Sequence, residues 1–265
     1  MPGAYAHITL VNLLRDTRRL ERIPGLPTEA IPAVLDYLKF CELGSVSPDY
    51  PYLSIGDTDA KKWADQMHKH KSGDMLKSGV KNLMEFSGEA KRKGLAWLMG
   101  YAAHVVADVT VHPVIEMKVG EYESNKRPHR VCELNQDAYI FPRLNLGGIG
   151  LSEYLKSGIS KCCNTNNSRK LDKDIRELWI SMLRDTYPEE FKTNPPKINK
   201  WHSVFKWVVD KVVEEGNRLF PFARHLAVRL WPHIPPHTTR LTGSSSTSSK
   251  PRKAETTTTQ SSTEQ

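Results

Sequence analysis

Two histidine–carboxylate pairs are spaced for chemistry: His104 with Asp108, and His129 with Glu133, each four residues apart. On an α-helix that spacing puts both side chains on one face, close enough to share an ion. His112 continues the first row by another four residues. Imidazole with carboxylate is a donor set suited to zinc, and also to iron or manganese. The surroundings sharpen the question, because the stretch GYAAHVVADVTVHPVIE, Gly100 to Glu116, is otherwise largely apolar. A buried carboxylate needs a strong partner. No Lys or Arg lies between Gly94 and Met117 to supply one, and a metal ion would serve. The turn SPDYPY adds Asp49, presented from a segment stiffened by Pro48 and Pro51.

The elements that must position these residues read as helices. Residues 1–20 form a short helix by apolar spacing, followed by a proline-marked connector over 21–33. IPAVLDYLKFCELGS reads as one helix ending at Gly44, where glycine is a common terminator. Residues 59–88 give one helix or two, broken near Gly73. A helix over about 89–112 follows; it is apolar almost all round and therefore expected to be buried. It should fail near Pro113, because the residue before a proline is pushed out of the helical region. HRVCELNQDAYIF resumes helical spacing, and helical pieces fall around Tyr154–Ile159 and Lys173–Tyr187. WHSVFKWVVDKVVEEGNRLF has a clear 3.6-residue period. No segment alternates with period two for long, so the expected class is all-α: a single helical-bundle domain over residues 1–231. The Ser/Thr/Pro-rich segment 232–265 cannot bury enough apolar surface to offset ordering, and is expected to be a disordered tail.

Composition narrows the setting. Net charge is +8, which favours anionic partners such as phosphate esters or lipid headgroups. No Lys/Arg block dominates the folded part, so no specific nucleic-acid footprint is apparent. Four cysteines without a CxxC spacing, two of them adjacent, point to reduced thiols. The opening MPGAYAHITLVNLLRDTRR lacks the basic start of a signal peptide, and no charge-free run of 18 apolar residues occurs. A cytoplasmic protein with no spanning helix is expected. Trp201, Phe205 and Trp207 beside Lys206 and Lys211 could make a peripheral membrane contact, although an amphipathic core helix accounts for the same pattern.

The ordered series His7, Asp49, His68, HVVAD, His112, HRVCE resembles the zinc-dependent phospholipase C family. So do the phrases MPGAYAHITL, GSVSPDYPY, WADQMHKHKSGD and GYAAHVVADVTVHP; together these motifs cover residues 1 to about 145. That family shares an all-α fold with the single-strand-specific zinc nucleases. The resemblance implies one zinc on Asp49, His68, His104 and Asp108, a second on His112, His129 and Glu133, and a third sharing Asp108 with His7. The family's secreted enzymes complete the third site with an N-terminal tryptophan, where this sequence reads Met1-Pro2-Gly3. Two Zn2+ ions are therefore expected, with the His7 site incomplete. WADQMH favours His68 over His70 as the ligand. The spacing from Asp108 to His112 is shorter than in those enzymes, which leaves Glu116 as an alternative ligand or supporting group.

The implied activity is hydrolysis of a phosphodiester, a phospholipid foremost, by zinc-activated water, with Asp49 as ligand and candidate catalytic base. Two alternatives stand beside it: a nuclease or phosphatase on the same scaffold, and a non-catalytic helical protein that zinc only stabilises. Tyr50, Tyr52 and Trp63 lie near the ligands in sequence, as cleft residues or as core aromatics.

Overall fold

The computed structural model describes residues 3–143 and 158–214. Helix α1 (Ala4–Asn12) leads through a 3-10 turn into α2 (Thr17–Glu21). Then come α3 (Ala30–Asp36), α4 (Leu38–Val46) and a 3-10 segment over Ser47–Leu53. Helices α5 (Thr58–Lys69), α6 (Ser72–Leu83), α7 (Gly88–Val119) and α8 (Lys126–Arg143) follow. After residue 158 come a two-stranded antiparallel ribbon (β1, Cys163–Asn164; β2, Asn167–Leu171), then α9 (Lys173–Thr186), α10 (Pro188–Thr193) and α11 (Ile198–Glu214). The class is all-α, and the ribbon is a minor addition. Four of the five residues of β2 are exposed and only Leu171 is buried, so the strand carries no alternation to read. The expected piece at Tyr154–Ile159 and the tail 232–265 fall largely or wholly outside the described residues.

Packing centres on α7 and α4. They cross so closely that a Cβ at Gly44 would overlap the carbonyl of Trp97, and one at Gly100 would overlap the carbonyl of Cys41. Glycine at both positions lets backbone meet backbone. Around the crossing lie buried Phe40, Cys41, Leu43, Trp97 and Tyr101. Trp97 donates its Nε1–H to Ser47 Oγ at 2.9 Å, tying α7 to the start of the 3-10 segment. Further out, Trp97, Trp179 and Trp201 pack in series as tilted pairs, with centroids 5.7 and 5.9 Å apart, and join α7 to α9 and α11. Trp201 and Phe205 belong to this core, so the inner face of α11 is accounted for by packing. All four cysteines are free.

Four expectations about helix limits need correction. Residues 1–20 hold α1, a 3-10 turn and the start of α2 rather than one helix. The 30–44 segment is two helices, because Tyr37 leaves helical geometry (φ −120°, ψ 33°), and α4 runs past Gly44 to Val46. The 59–88 segment breaks at His70–Lys71, with Lys71 in left-handed geometry (φ 51°), rather than at Gly73. Most importantly, α7 does not end at Pro113 but continues to Val119. Proline has no N–H to give to the carbonyl four residues back. Here that carbonyl belongs to Val109, an exposed residue on the outer side of the helix, where water can satisfy it.

Nor is α7 buried all round. Val106, Val109, Pro113, Val114 and Met117 form an exposed apolar stripe, opposite the face that carries His104 and Asp108. By length and composition alone α7 could cross a bilayer, against the expectation of no such helix, yet its inner face is packed within the bundle.

Two stability predictions follow from this packing. Gly44→Ala and Gly100→Ala each drive a methyl into backbone and should destabilise the fold by about 3 kcal/mol, read as a lower denaturation midpoint. His202 is fully buried, and neither ring nitrogen has a hydrogen-bond partner among the described residues. Burial, with Lys206 adding to it, holds its pKa down at about 4. In the unfolded chain it titrates near about 6.5. Between those values the unfolded state binds more protons, so the contribution is present above pH ~6.5 and is lost as the pH falls toward 4. The full span is worth about 3 kcal/mol at most. His202→Phe should flatten that part of the stability–pH curve, whatever its baseline.

Candidate metal centre

Four elements bring five side chains together. His7 comes from the first turns of α1, Asp49 from the 3-10 segment, His68 from the last turn of α5, and His104 with Asp108 from the inner face of α7. In one group His7, His104 and Asp108 each offer a ligand atom, all within 4.8 Å of one another; in a second, Asp49, His68 and His104 do the same. His7 Nε2 lies 3.4 Å from Asp108 Oδ1, and His104 Nε2 lies 3.4 Å from Asp108 Oδ2. His68 Nε2 is 3.3 Å from Asp49 Oδ1 and 3.8 Å from Asp108 Oδ2. The His7 ring stacks on that of His104, centroids 4.0 Å apart.

Backbone carbonyls set the rings. His104 Nδ1 lies 2.8 Å from the carbonyl of Ser45, and His68 Nδ1 lies 2.7 Å from that of Ala64. A carbonyl only accepts, so each Nδ1 carries the hydrogen, and each Nε2 of the neutral ring is a lone pair. Those two Nε2 atoms face each other at 3.1 Å. Two lone pairs at that distance repel unless a proton or a metal cation lies between or beside them. The carboxylates of Asp49 and Asp108 complete a donor set that a divalent metal fits.

The electrostatics agree. Burial alone would raise the pKa of Asp49, but the imidazoles of His68, His104 and His7 outweigh it and hold it at about 2. Asp108 is likewise held well below the usual carboxylate range, by His104 and His7 against the effect of burial. Burial, then the neighbouring His104, lower the pKa of His7 despite Asp108. For His104 burial opposes protonation, yet Asp108 and Asp49 win and its pKa is raised. Both carboxylates are therefore ionised at neutral pH.

A neighbouring group forms between α7 and α8. His112 and His129 have ring centroids 5.7 Å apart, and His129 Nδ1 is 3.7 Å from Glu133 Oε1. Among the described residues, neither nitrogen of His129, nor Nε2 of His112, has a hydrogen-bond partner. Burial lowers the pKa of His112. This group is looser than the first. Glu133 also accepts from Arg130 at 3.0 Å, and Tyr122 stands edge-on to His129.

Other candidates fall outside. Glu116 is exposed and belongs to neither tight group. His70 is exposed, and its carbonyl accepts from Tyr187. Tyr50 and Trp63 are core residues, whereas Tyr52 leans against His68 with its hydroxyl on Asp65. The carbonyls of Ser45 and Ala64 carry no signal in a sequence, since any residue supplies one. Asp137 could have been found: it is buried on α8 and extends the row His129, Glu133 by four more residues.

The family model described as zinc dependent phospholipase C matches residues 6–189, more than two-thirds of the chain. The chain belongs to the zinc-dependent phospholipase C family. The match extends past the last sequence motif, near residue 145, to the end of α9 and into α10. No curated protein and no solved structure matches the chain significantly. Membership of this zinc-dependent phospholipase C family, with the His/Asp groups, supports a metal-dependent phosphodiester hydrolase.

Purified protein is expected to contain zinc by elemental mass spectrometry, and chelation should lower its Tm. A ligand at 100 times its Kd stabilises by about 2.7 kcal/mol. His68→Ala should reduce the bound zinc and His70→Ala should not.

Proposed function

We propose that the protein hydrolyses phosphodiesters, phospholipids foremost, at a zinc centre held by eight side chains. Asp49, His68, His104 and Asp108 would hold one ion, and His112, His129 and Glu133 a second. His7, its ring braced on His104, would share Asp108 at a third, incomplete site. The observation that carries the reading is the approach of His68 Nε2 and His104 Nε2 to 3.1 Å, with each Nδ1 already committed to a carbonyl. Bound zinc supplies Lewis acidity toward a phosphate and acidifies water.

The chain's own residues have separable tasks. Ser45 and Ala64 fix two imidazoles in the ligating tautomer. Asp108, facing His7, His104 and His68, links the sites through one carboxylate. Asp49 is ionised at neutral pH and partly exposed, so it can take a proton from an attacking water as general base. Tyr52 and Tyr122 flank the two ligand groups, against His68 and against His112 and His129.

The test is a hydrolysis panel of phosphatidylcholine, single-stranded DNA and a simple phosphodiester, with zinc content measured in parallel. Wild type should cleave phosphatidylcholine. Asp49→Asn should lower kcat by at least about 100-fold, as expected when a positioned base is removed, and His104→Ala should abolish turnover along with zinc binding. Cleavage of DNA in place of lipid would redirect the substrate assignment. Inactivity on all three with zinc bound would sink the hydrolase reading and leave zinc a structural role.

A further inference from the structure

The motif HRVCELNQD ends on Asp137, which no part of the proposed zinc centre uses. Asp137 is 7% exposed and lies on the buried face of α8, in line with His129 and Glu133 at successive four-residue steps. Its carboxylate turns to α1. Asp137 Oδ1 accepts the backbone N–H of Ala6 at 3.0 Å, at the beginning of that helix. Its carboxylate also occupies the space that a Cβ at Gly3 would need. Gly3 caps α1 without a side-chain bond of its own, so the cap that glycine cannot provide comes from Asp137, 131 positions beyond Ala6. A negative group is favourable at a helix start, and here it shares the Ala6 N–H with the carbonyl of Gly3. His7 follows Ala6 directly and points the other way along the same turn, to Asp108 at 3.4 Å.

We propose that Asp137 is a positioning residue for His7: its carboxylate, seated against Gly3 and bonded to Ala6, docks the start of α1 on α8 so that His7 meets Asp108. The side-chain-free Gly3 is the other half of the lock. The elements that carry the neighbouring ligand group and the His7 ligand are thereby held as one unit, since His129, Glu133 and Asp137 share a helix face. The inference rests on the zinc reading for its consequence at His7, and on the hydrogen bond alone for the docking of α1.

The experiment uses the full chain, with zinc equivalents counted by elemental mass spectrometry and amide hydrogen exchange of α1 followed with and without zinc. Asp137→Ala should speed exchange across residues 4–8 at least 10-fold in both conditions and should match the zinc count of His7→Ala. The double variant His7→Ala/Asp137→Ala should lose no more than either alone. Asp137→Asn keeps an acceptor for Ala6 and should retain the wild-type zinc count. Gly3→Val attacks the lock from the other side and should reproduce Asp137→Ala, which keeps the test alive should one variant fail to fold. Wild-type exchange and zinc content in both Asp137→Ala and Gly3→Val would overturn the proposal. So would a loss shared with His129→Ala instead of His7→Ala, because Asp137 would then serve the ion on α8. A wild-type protein without zinc would sink the zinc reading, and the exchange data would still decide whether Asp137 docks α1.

Discussion

The contact on which the site depends is the crossing of α4 and α7 at Gly44 and Gly100. Two helices with ordinary side chains at those positions could not let carbonyls and Cα atoms meet as these do. The closeness has a chemical result. The residue after Gly44 is Ser45, whose carbonyl then lies within reach of His104, one turn along α7 from Gly100. Two residues further on, Ser47 receives Trp97, and the chain turns into the 3-10 segment that delivers Asp49. A single backbone contact therefore sets a ring tautomer, a tryptophan anchor and a carboxylate. Separating the helices by the width of a methyl group would disturb all three.

The second constraint is charge. Among the described residues, Asp49 and Asp108 lie with three imidazoles and no Lys or Arg beside them, and their acidity is set by those rings. Protonated histidines could balance the carboxylates at low pH, but His7 resists protonation because it is buried and stacked on His104. His104, whose pKa is raised, can carry one positive charge, and a metal cation would supply the rest of the balance. The same reasoning extends to His129, which is fully buried with both nitrogens unsatisfied among the described residues; a buried polar atom in that condition is costly.

The candidate ligands were legible because their chemistry is carried by side-chain type and four-residue spacing, and the sequence displays both. His104–Asp108 and His129–Glu133 needed no tertiary knowledge. What set the rings was not legible, since the carbonyls of Ser45 and Ala64 look like any others. Helix limits were misjudged where local rules were overridden. Tyr37 breaks a continuous apolar pattern, and Pro113 fails to break one because the carbonyl it strands lies on the wet side. The apolar stripe of Val106, Val109, Val114 and Met117 misled for a related reason: composition suggested that every face of α7 was buried, while only the face carrying the ligands is. Gly3 and Asp137 meet across 134 positions of sequence, and no pattern announces that.

The unbroken course of α7 through Pro113 turns this helix into a ruler. Each four-residue step advances about 6 Å along the axis and turns about 40°. His104, Asp108 and His112 are thus fixed rungs on one slowly winding rail, and the chain has no hinge there with which to adjust them. One residue inserted between Asp108 and His112 would swing the last rung by about 100° and aim it at solvent or at the core. The distance from the tight ligand group to the loose one is consequently a property of helical pitch, and only a partner helix that presents His129 at the matching height can use it.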